Sequence, residues 1–328
     1  MEQDKVLDVR NLHAVFRIDR KEYEVLHDIS FSVHRNETVC VVGESGCGKS
    51  VTTLCVMGLL PKNGRITSGS ISLNGTDLTG LSAKEVRKFR GKKMGMIFQE
   101  PMTALNPLLT VGYQLRENLM LHRGVDKKTA SQMALDYLNK VGIANPEQRL
   151  KQFPFQLSGG LRQRVLIAMV LSAQPDLLIA DEPTTALDVT IQKQVLSLLN
   201  HLKKEMSAGI MFITHDLGVV AEIADRIVVL YAGRKVEEGS AQQIFNNPQH
   251  PYTIGLMNAV PDVEKDDFVI QPIPGMFPNI TEDIPGCRFN PRCSHVNECP
   301  LCVTAAPEMI EIEPGHFVAC HLRNREAE

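Results

Sequence analysis

Eight residues, Gly43-Glu44-Ser45-Gly46-Cys47-Gly48-Lys49-Ser50, lie between an apolar tetrapeptide, Val39-Cys40-Val41-Val42, and a segment from Val51 to Met57 that can continue as a helix. Strand, glycine-rich loop, Lys-Ser and helix in that order constrain the chain more than any other feature, because they call for a parallel α/β unit that cradles phosphate. Gly43 and Gly48 bracket a turn whose backbone N–H groups must all face the anion, and side chains there would obstruct the concavity. Lys49 is placed to reach the β and γ phosphates, and the Ser50 hydroxyl to ligate Mg²⁺ where the N-terminus of a helix favours negative charge. Residues Gly43 to Ser50, with Val51 after them, are the candidate phosphate site. Cys47 lies beside that helix N-terminus, a setting expected to lower its pKa and activate the thiol.

A phosphate loop needs a carboxylate on the metal side. Leu177-Leu178-Ile179-Ala180 is an apolar strand that ends in two acids, Asp181 and Glu182. Open α/β sheets bind ligands at the carboxyl ends of their strands, so Asp181 is expected at the magnesium and Glu182 at the water that attacks the γ phosphate. A second apolar strand, Ile210 to Ile213, is followed by Thr214-His215-Asp216. Ordinary phosphate-loop enzymes lack the further motif Leu157-Ser158-Gly159-Gly160.

These motifs in this order resemble the ATP-binding subunit of an ABC transporter over roughly residues 5 to 245. In that resemblance Gly43 to Ser50 is the Walker A loop and Gln99, after Met96-Ile97-Phe98, the Q-loop. Leu157 to Gly160 is the signature, Leu177 to Glu182 the Walker B strand, Thr185-Ala186-Leu187-Asp188 the D-loop, and His215 the switch histidine. The resemblance implies an α/β fold: a RecA-like P-loop core, an antiparallel β subdomain, and a helical subdomain inserted at about 100–170. It implies ATP and Mg²⁺ as ligands, with Ser50, Gln99 and Asp181 at the metal and Glu182, His215 and Gln99 serving hydrolysis. Ser158, Gly159 and Gly160 would meet ATP held by a second ATPase subunit, a paralogue or another copy. Ile71-Ser72-Leu73 alternates as a strand into an Asn74-Gly75 turn, which suits the antiparallel piece. Ala130, Met133, Ala134, Tyr137, Leu138 and Val141 share one face of an amphipathic helix. Before the Walker A strand the family usually carries glycine, where this chain has Asn36, the residue that best tolerates a left-handed backbone after glycine. Phe16 and Tyr23 both stand in range for the aromatic that stacks on adenine.

The formal net charge is −3, with 35 Lys+Arg against 38 Asp+Glu, which gives no basic footprint for nucleic acid. No apolar run reaches the 18 or so residues of a transmembrane helix, and the N-terminus lacks the apolar stretch of a signal peptide. The expected place is the cytoplasmic side of the cell membrane, peripheral, with two permease subunits as separate polypeptides and an extracytoplasmic solute-binding protein. Segment 100–107, rich in turn residues, is where the resembled family docks a permease. A soluble, non-transport ABC ATPase is the competing class; it would bring a basic groove, a coiled-coil insertion or a tandem cassette.

Residues 1–245 form the expected ATPase domain and 246–328 an extension. His250-Pro251-Tyr252-Thr253, the proline stretch Pro272-Ile273-Pro274-Gly275, and Gly286-Cys287-Arg288-Phe289-Asn290-Pro291-Arg292-Cys293 resemble the C-terminal region of oligopeptide, dipeptide and nickel importer ATPases. The expected cargo is a di- or oligopeptide, with nickel or another metal chelate as the alternative. Cys287, Cys293, Cys299, Cys302 and Cys320 are five thiols within 34 residues. A reducing cytosol disfavours disulfides, which leaves metal or coincidence. A 4Fe-4S cluster takes four thiolates and zinc would accept the same set. Some members of the resembled subfamily carry such a cluster, which here implies Cys287, Cys293, Cys302 and Cys320, with Cys299 as the alternative to Cys302.

Overall fold

A computed structural model describes residues 4–98, 104–184, 188–259 and 272–324. The strands are β1 (Lys5–Ile18), β2 (Lys21–His34), β3 (Thr38–Val42), β4 (Gly64–Leu73), β5 (Thr76–Asp77), β6 (Met94–Ile97), β7 (Leu177–Asp181), β8 (Gly209–Ile213), β9 (Arg226–Tyr231), β10 (Arg234–Ser240), β11 (Ile310–Glu313) and β12 (His316–Val318). The longer helices are α1 (Lys49–Met57), α2 (Val111–Arg123), α3 (Lys127–Lys140), α4 (Gly159–Ser172), α5 (Val189–Met206), α6 (Leu217–Ile223), α7 (Ala241–Asn246) and α8 (Pro251–Asn258). Two compact units divide them, one of Met1–Val6, Val33–Glu37 and Leu81–Phe212, the other of Leu7–Ser32, Thr38–Gly80 and Ile213–Glu328.

In the first unit β7 lies between β6 and β8, and β6 runs parallel to β7 with Met94 opposite Leu177 and Ile97 opposite Ala180. β6 and β8 are buried throughout and β7 up to Ala180, the apolar run expected of strands covered on both faces. The helices start at side-chain caps: Thr110 accepts from the Tyr113 N–H, Asp126 from Thr129, Ser158 from Leu161 and Asp188 from Ile191. α2, α3 and α4 pack on one another. Ala130, Ala134, Tyr137 and Leu138 are buried on α3, as the periodicity predicts, with Met133 at the margin.

In the second unit β3 pairs in parallel with β9, and β9, β10, β12 and β11 continue antiparallel. A separate four-stranded sheet runs in the order β2-β1-β4-β5, with β1 antiparallel to β4. Asn74 and Gly75, both at positive φ (47° and 78°), turn β4 into β5 as the sequence predicts. Asn36 stands at φ 59°, the left-handed position for which asparagine substitutes glycine. The α/β class and its antiparallel sheet agree with the sequence expectation.

Candidate active site

The candidate phosphate loop is built from the sheet outward. β3 is wholly buried and delivers Gly43 at φ 148°, where an added Cβ would lie 2.2 Å from the Leu230 carbonyl oxygen. Gly48 stands at φ 111°, and a Cβ there would meet Leu26 Cδ2 at 2.9 Å. Neither position admits a side chain, so the two glycines fix the loop's path. α1 then begins at Lys49, with Ser50 exposed at its first turn beside the exposed Ser45 and Gly46. Lys49 is buried, and its Nζ donates to the carbonyls of Gly43 (2.6 Å) and Glu44 (3.0 Å). The ammonium thus lies inside the curl of the loop.

Cys47 departs from the sequence expectation. Its side chain is fully buried, and burial raises the thiol's pKa, outweighing Lys49, whose Nζ is 3.7 Å from the sulfur. Desolvation of the thiolate wins over the helix N-terminus.

In the same unit Thr214-His215-Asp216 follows Ile213, with His215 exposed. Asp216 caps α6, accepting from Gly218 N (2.9 Å) and Val219 N (3.3 Å), which fixes the turn that carries His215.

In the other unit Asp181 ends β7 and Glu182 follows it, both half-buried. Glu182 stands at φ 46°, a left-handed conformation that costs a non-glycine residue roughly 1–3 kcal/mol and is found at functional sites. The turn after it is held by Gln163 on α4, whose Nε2 donates to the Pro183 carbonyl at 2.7 Å. Ser158, Gly159 and Gly160 form the first turn of that same helix. Ser158-Gly159-Gly160 and the acid pair are thereby tied through one buried glutamine, which the sequence reading did not single out. Gln99, Thr185, Ala186 and Leu187 lie outside the described residues.

ABC transporter is the family description that matches residues 26–185, and Oligopeptide/dipeptide transporter, C-terminal region, matches residues 236–299. The dipeptide transport ATP-binding protein DppD of Bacillus subtilis (strain 168) is 47% identical over 326 residues, 99% of this chain and 97% of the relative. The chain belongs to the ABC transporter family. The oligopeptide transport ATP-binding protein OppD of Escherichia coli (strain K12) is 46% identical, with 97% of this chain and 93% of the relative covered. Among solved structures, the ATP-binding cassette MJ0796, a dimer bound to ADP and Pi, matches with a TM-score of 0.65 at 27% identity, over 72% of this chain and 98% of that one. CbiO1 from Clostridium perfringens matches with a TM-score of 0.64 at 26% identity, over 74% and 92%. As a member of this family the chain is an ATPase, with ATP and Mg²⁺ its expected ligands.

The ABC chain's extension meets its phosphate loop directly. Tyr252, on α8, accepts a hydrogen bond from the Glu44 N–H at 2.8 Å, from 208 residues along the chain. Arg292 pairs with the Glu44 carboxylate through both ends of its guanidinium, at 2.7 and 3.1 Å. A cavity of about 80 Å³ is lined by Gly46, Gly48 and Val51 on one side and Phe277 and Pro278 on the other. Both Tyr252 and Arg292 fall in motifs that the sequence marks, but spacing says nothing of a partner so distant. As for the adenine aromatic, Phe16 covers Gly64 on the neighbouring strand, where a Cβ would lie 2.7 Å from its ring; Tyr23 is half-buried on β2.

The thiols of the extension do not assemble as expected. Among the described residues no three His, Cys, Asp or Glu side chains are disposed to hold a metal ion, so neither Cys287, Cys293, Cys302 and Cys320 nor the set with Cys299 forms a ligand cage. Cys299, Cys302 and Cys320 are buried, and Cys287 and Cys293 partly so. Burial, then the neighbouring thiols, pushes Cys287 up to about 11 and Cys302 up to about 12.

Proposed function

We infer that this ABC ATPase is the motor subunit of an importer for di- or oligopeptides, peripheral on the cytoplasmic side of the cell membrane. The observation that carries the reading is similarity to peptide transport ATP-binding proteins along nearly the whole chain, extension included. Among the described residues no helix is long and apolar enough to cross a membrane, so two permease subunits are proposed as separate chains. A second ATPase subunit is proposed by analogy with the dimeric cassette MJ0796. A solute-binding protein completes the assembly and selects the cargo; nickel or another metal chelate is the alternative cargo.

Roles follow the chemistry of each group. The backbone from Gly43 to Val51 and the Lys49 ammonium bind the phosphates, and Phe16 or Tyr23, both half-buried, is the proposed adenine platform. Magnesium, when bound, neutralises phosphate charge; the Ser50 hydroxyl, Asp181 and Gln99 are its proposed ligands. Glu182 orients and deprotonates the attacking water, and His215 supports it. Glu182→Gln should retain ATP binding while turnover in the assembled transporter falls by roughly 10²–10⁴, the range for a lost general base. Wild-type turnover would remove Glu182 from that role. Uptake of labelled dipeptide by reconstituted vesicles tests the cargo, and uptake of a nickel chelate in its place would favour the alternative.

For the C-terminal thiols the proposal is a 4Fe-4S cluster, or zinc, bound only after rearrangement of the side chains. It is supported by the closeness of the Cys287 and Cys302 segments, where the Cys287 N–H donates to the Cys302 carbonyl at 2.9 Å. Iron, sulfide and zinc analysis of anaerobically purified protein decides it. Absence of all three retires the proposal.

A further inference from the structure

Glu44 presents a problem of charge. It is the second residue of a loop that binds a highly anionic ligand, and an uncompensated carboxylate there would oppose the phosphates. The compensation comes from the extension. Arg292 Nη1 lies 2.7 Å from Glu44 Oε2 and Nη2 3.1 Å from Oε1, a fork-to-fork pairing that fixes orientation as well as charge. The Arg292 side chain is 4% exposed and that of Glu44 31%, so the buried guanidinium depends on this partner more than the carboxylate does.

The rest of the guanidinium is also committed. Its Nε donates to the Pro274 carbonyl at 2.9 Å and Nη2 to that of Ile273 at 3.3 Å, so one side chain ties the proline-rich segment to the loop. Tyr231 stacks beneath, its ring centroid 5.9 Å from the guanidinium carbon, and packs edge-on against Tyr252 at 4.6 Å. Tyr252 in turn accepts the Glu44 N–H. Lys49 therefore holds Glu44 by its carbonyl from inside the loop, while Arg292 and Tyr252 hold its carboxylate and N–H from outside.

We propose that Arg292 is a positioning residue for ATP binding: from the C-terminal extension it neutralises and anchors Glu44 and, with the Tyr252 hydroxyl, holds the phosphate loop in place. The proposal rests on the reading of Gly43 to Ser50 as the nucleotide loop. It makes the extension part of the ATP site. A change in the fold around Arg292 would then be felt as a change in nucleotide affinity.

The test is titration of the full-length chain with a fluorescent ATP analogue. Arg292→Met should weaken binding roughly tenfold, within the range typical of coupled sites. Adding Glu44→Gln in that background should recover most of the loss, because the uncompensated charge is gone. In the assembled transporter the KM for ATP should rise in Arg292→Met with little change in kcat, the pattern of lost ground-state binding. If Arg292→Met does not fold, Arg292→Lys and Tyr252→Phe take its place, each weakening one arm of the clamp and each expected to bind ATP less tightly than wild type. Wild-type affinity in these variants, or no recovery on adding Glu44→Gln, overturns the proposal. Lys49→Ala separates the two levels: wild-type protein that binds no better than Lys49→Ala overturns the nucleotide-loop reading itself, whereas tight wild-type binding with an unaffected Arg292→Met overturns the clamp alone.

Discussion

The phosphate loop and the C-terminal extension are both made of short turns around small or sulfur-bearing residues, and they are held by different forces. The loop is shaped by excluded volume: Gly43 faces the Leu230 carbonyl and Gly48 faces Leu26, at distances that leave no room for a methyl group. The extension is held in part by a buried acid. Glu237 on β10 is fully buried and accepts from the N–H groups of Gln249 and His250, each at 2.8 Å, and pairs with His316 Nε2 at 2.8 Å. Loss of a Cβ is written locally as glycine, whereas a buried acid is intelligible only with its three distant partners.

The largest expected effect breaks the extension. Glu237→Gln leaves one oxygen and an NH₂ group facing three donors, and each buried donor left without its acceptor costs about 1–3 kcal/mol. Denaturant unfolding should register that loss, and limited proteolysis should cut beyond residue 246 first. Stability within about 1 kcal/mol of wild type would place the extension's hold elsewhere. Next comes the loop. Gly43→Ala forces a Cβ onto the Leu230 carbonyl in a conformation that L-residues avoid, and should cost roughly 1–3 kcal/mol. ATP binding should fall with it, and unchanged binding would mean that the loop's path is not set by this contact.

What the sequence made legible follows the same division. The phosphate loop, the β7 acids, the Asn74-Gly75 turn and the α3 stripe are each specified within a few residues, by φ, by alternation or by helical period. Asn36 was readable for the same reason. The Arg292–Glu44 pair was not, since 248 residues separate its members and neither local context demands the other. Gln163 was missed because a buried amide in an apolar helix has no local signature; its contact is with a turn 20 residues on. The cysteine spacings allowed a ligand cage, but spacing cannot say where the side chains point once Cys299, Cys302 and Cys320 are buried. For Cys47 the local rule was sound and lost to a larger one, because helix-terminus charge is a smaller effect than complete desolvation.

The comparison sharpens with pH. His250 is buried and caps α8 by accepting the Tyr252 N–H at its Nδ1, and burial lowers its pKa to about 4. The unfolded chain protonates near pH 6.5. Between those values the unfolded state holds the extra proton, so stability is full above about pH 6.5 and is lost as pH falls toward 4, at about 1.4 kcal/mol per pH unit per proton. His27, lowered to about 4 by burial and then by Arg288, adds to the same slope. His250→Asn keeps a capping oxygen and removes one titrating group. Its melting temperature should change less between pH 4 and 6.5 than that of wild type. An unchanged slope would assign the acid sensitivity to His27.

The smallest expected effect concerns the thiols, where loop and extension meet on equal terms. The thiolate is the nucleophile, and burial raises the pKa of Cys47 and of Cys293 alike. They differ in access: Cys47 is fully buried behind the loop, while Cys293 is partly exposed. Brief alkylation of the native protein near neutral pH, read out by mass spectrometry of the peptides, should therefore mark Cys293 before Cys47. The loop thiol should react at a rate set by opening of the fold, because the closed loop offers the reagent neither charge nor room. Rapid labelling of Cys47 that ATP suppresses would show instead that the loop opens locally in the absence of nucleotide, and that excluded volume at Gly43 and Gly48 shapes only its closed form.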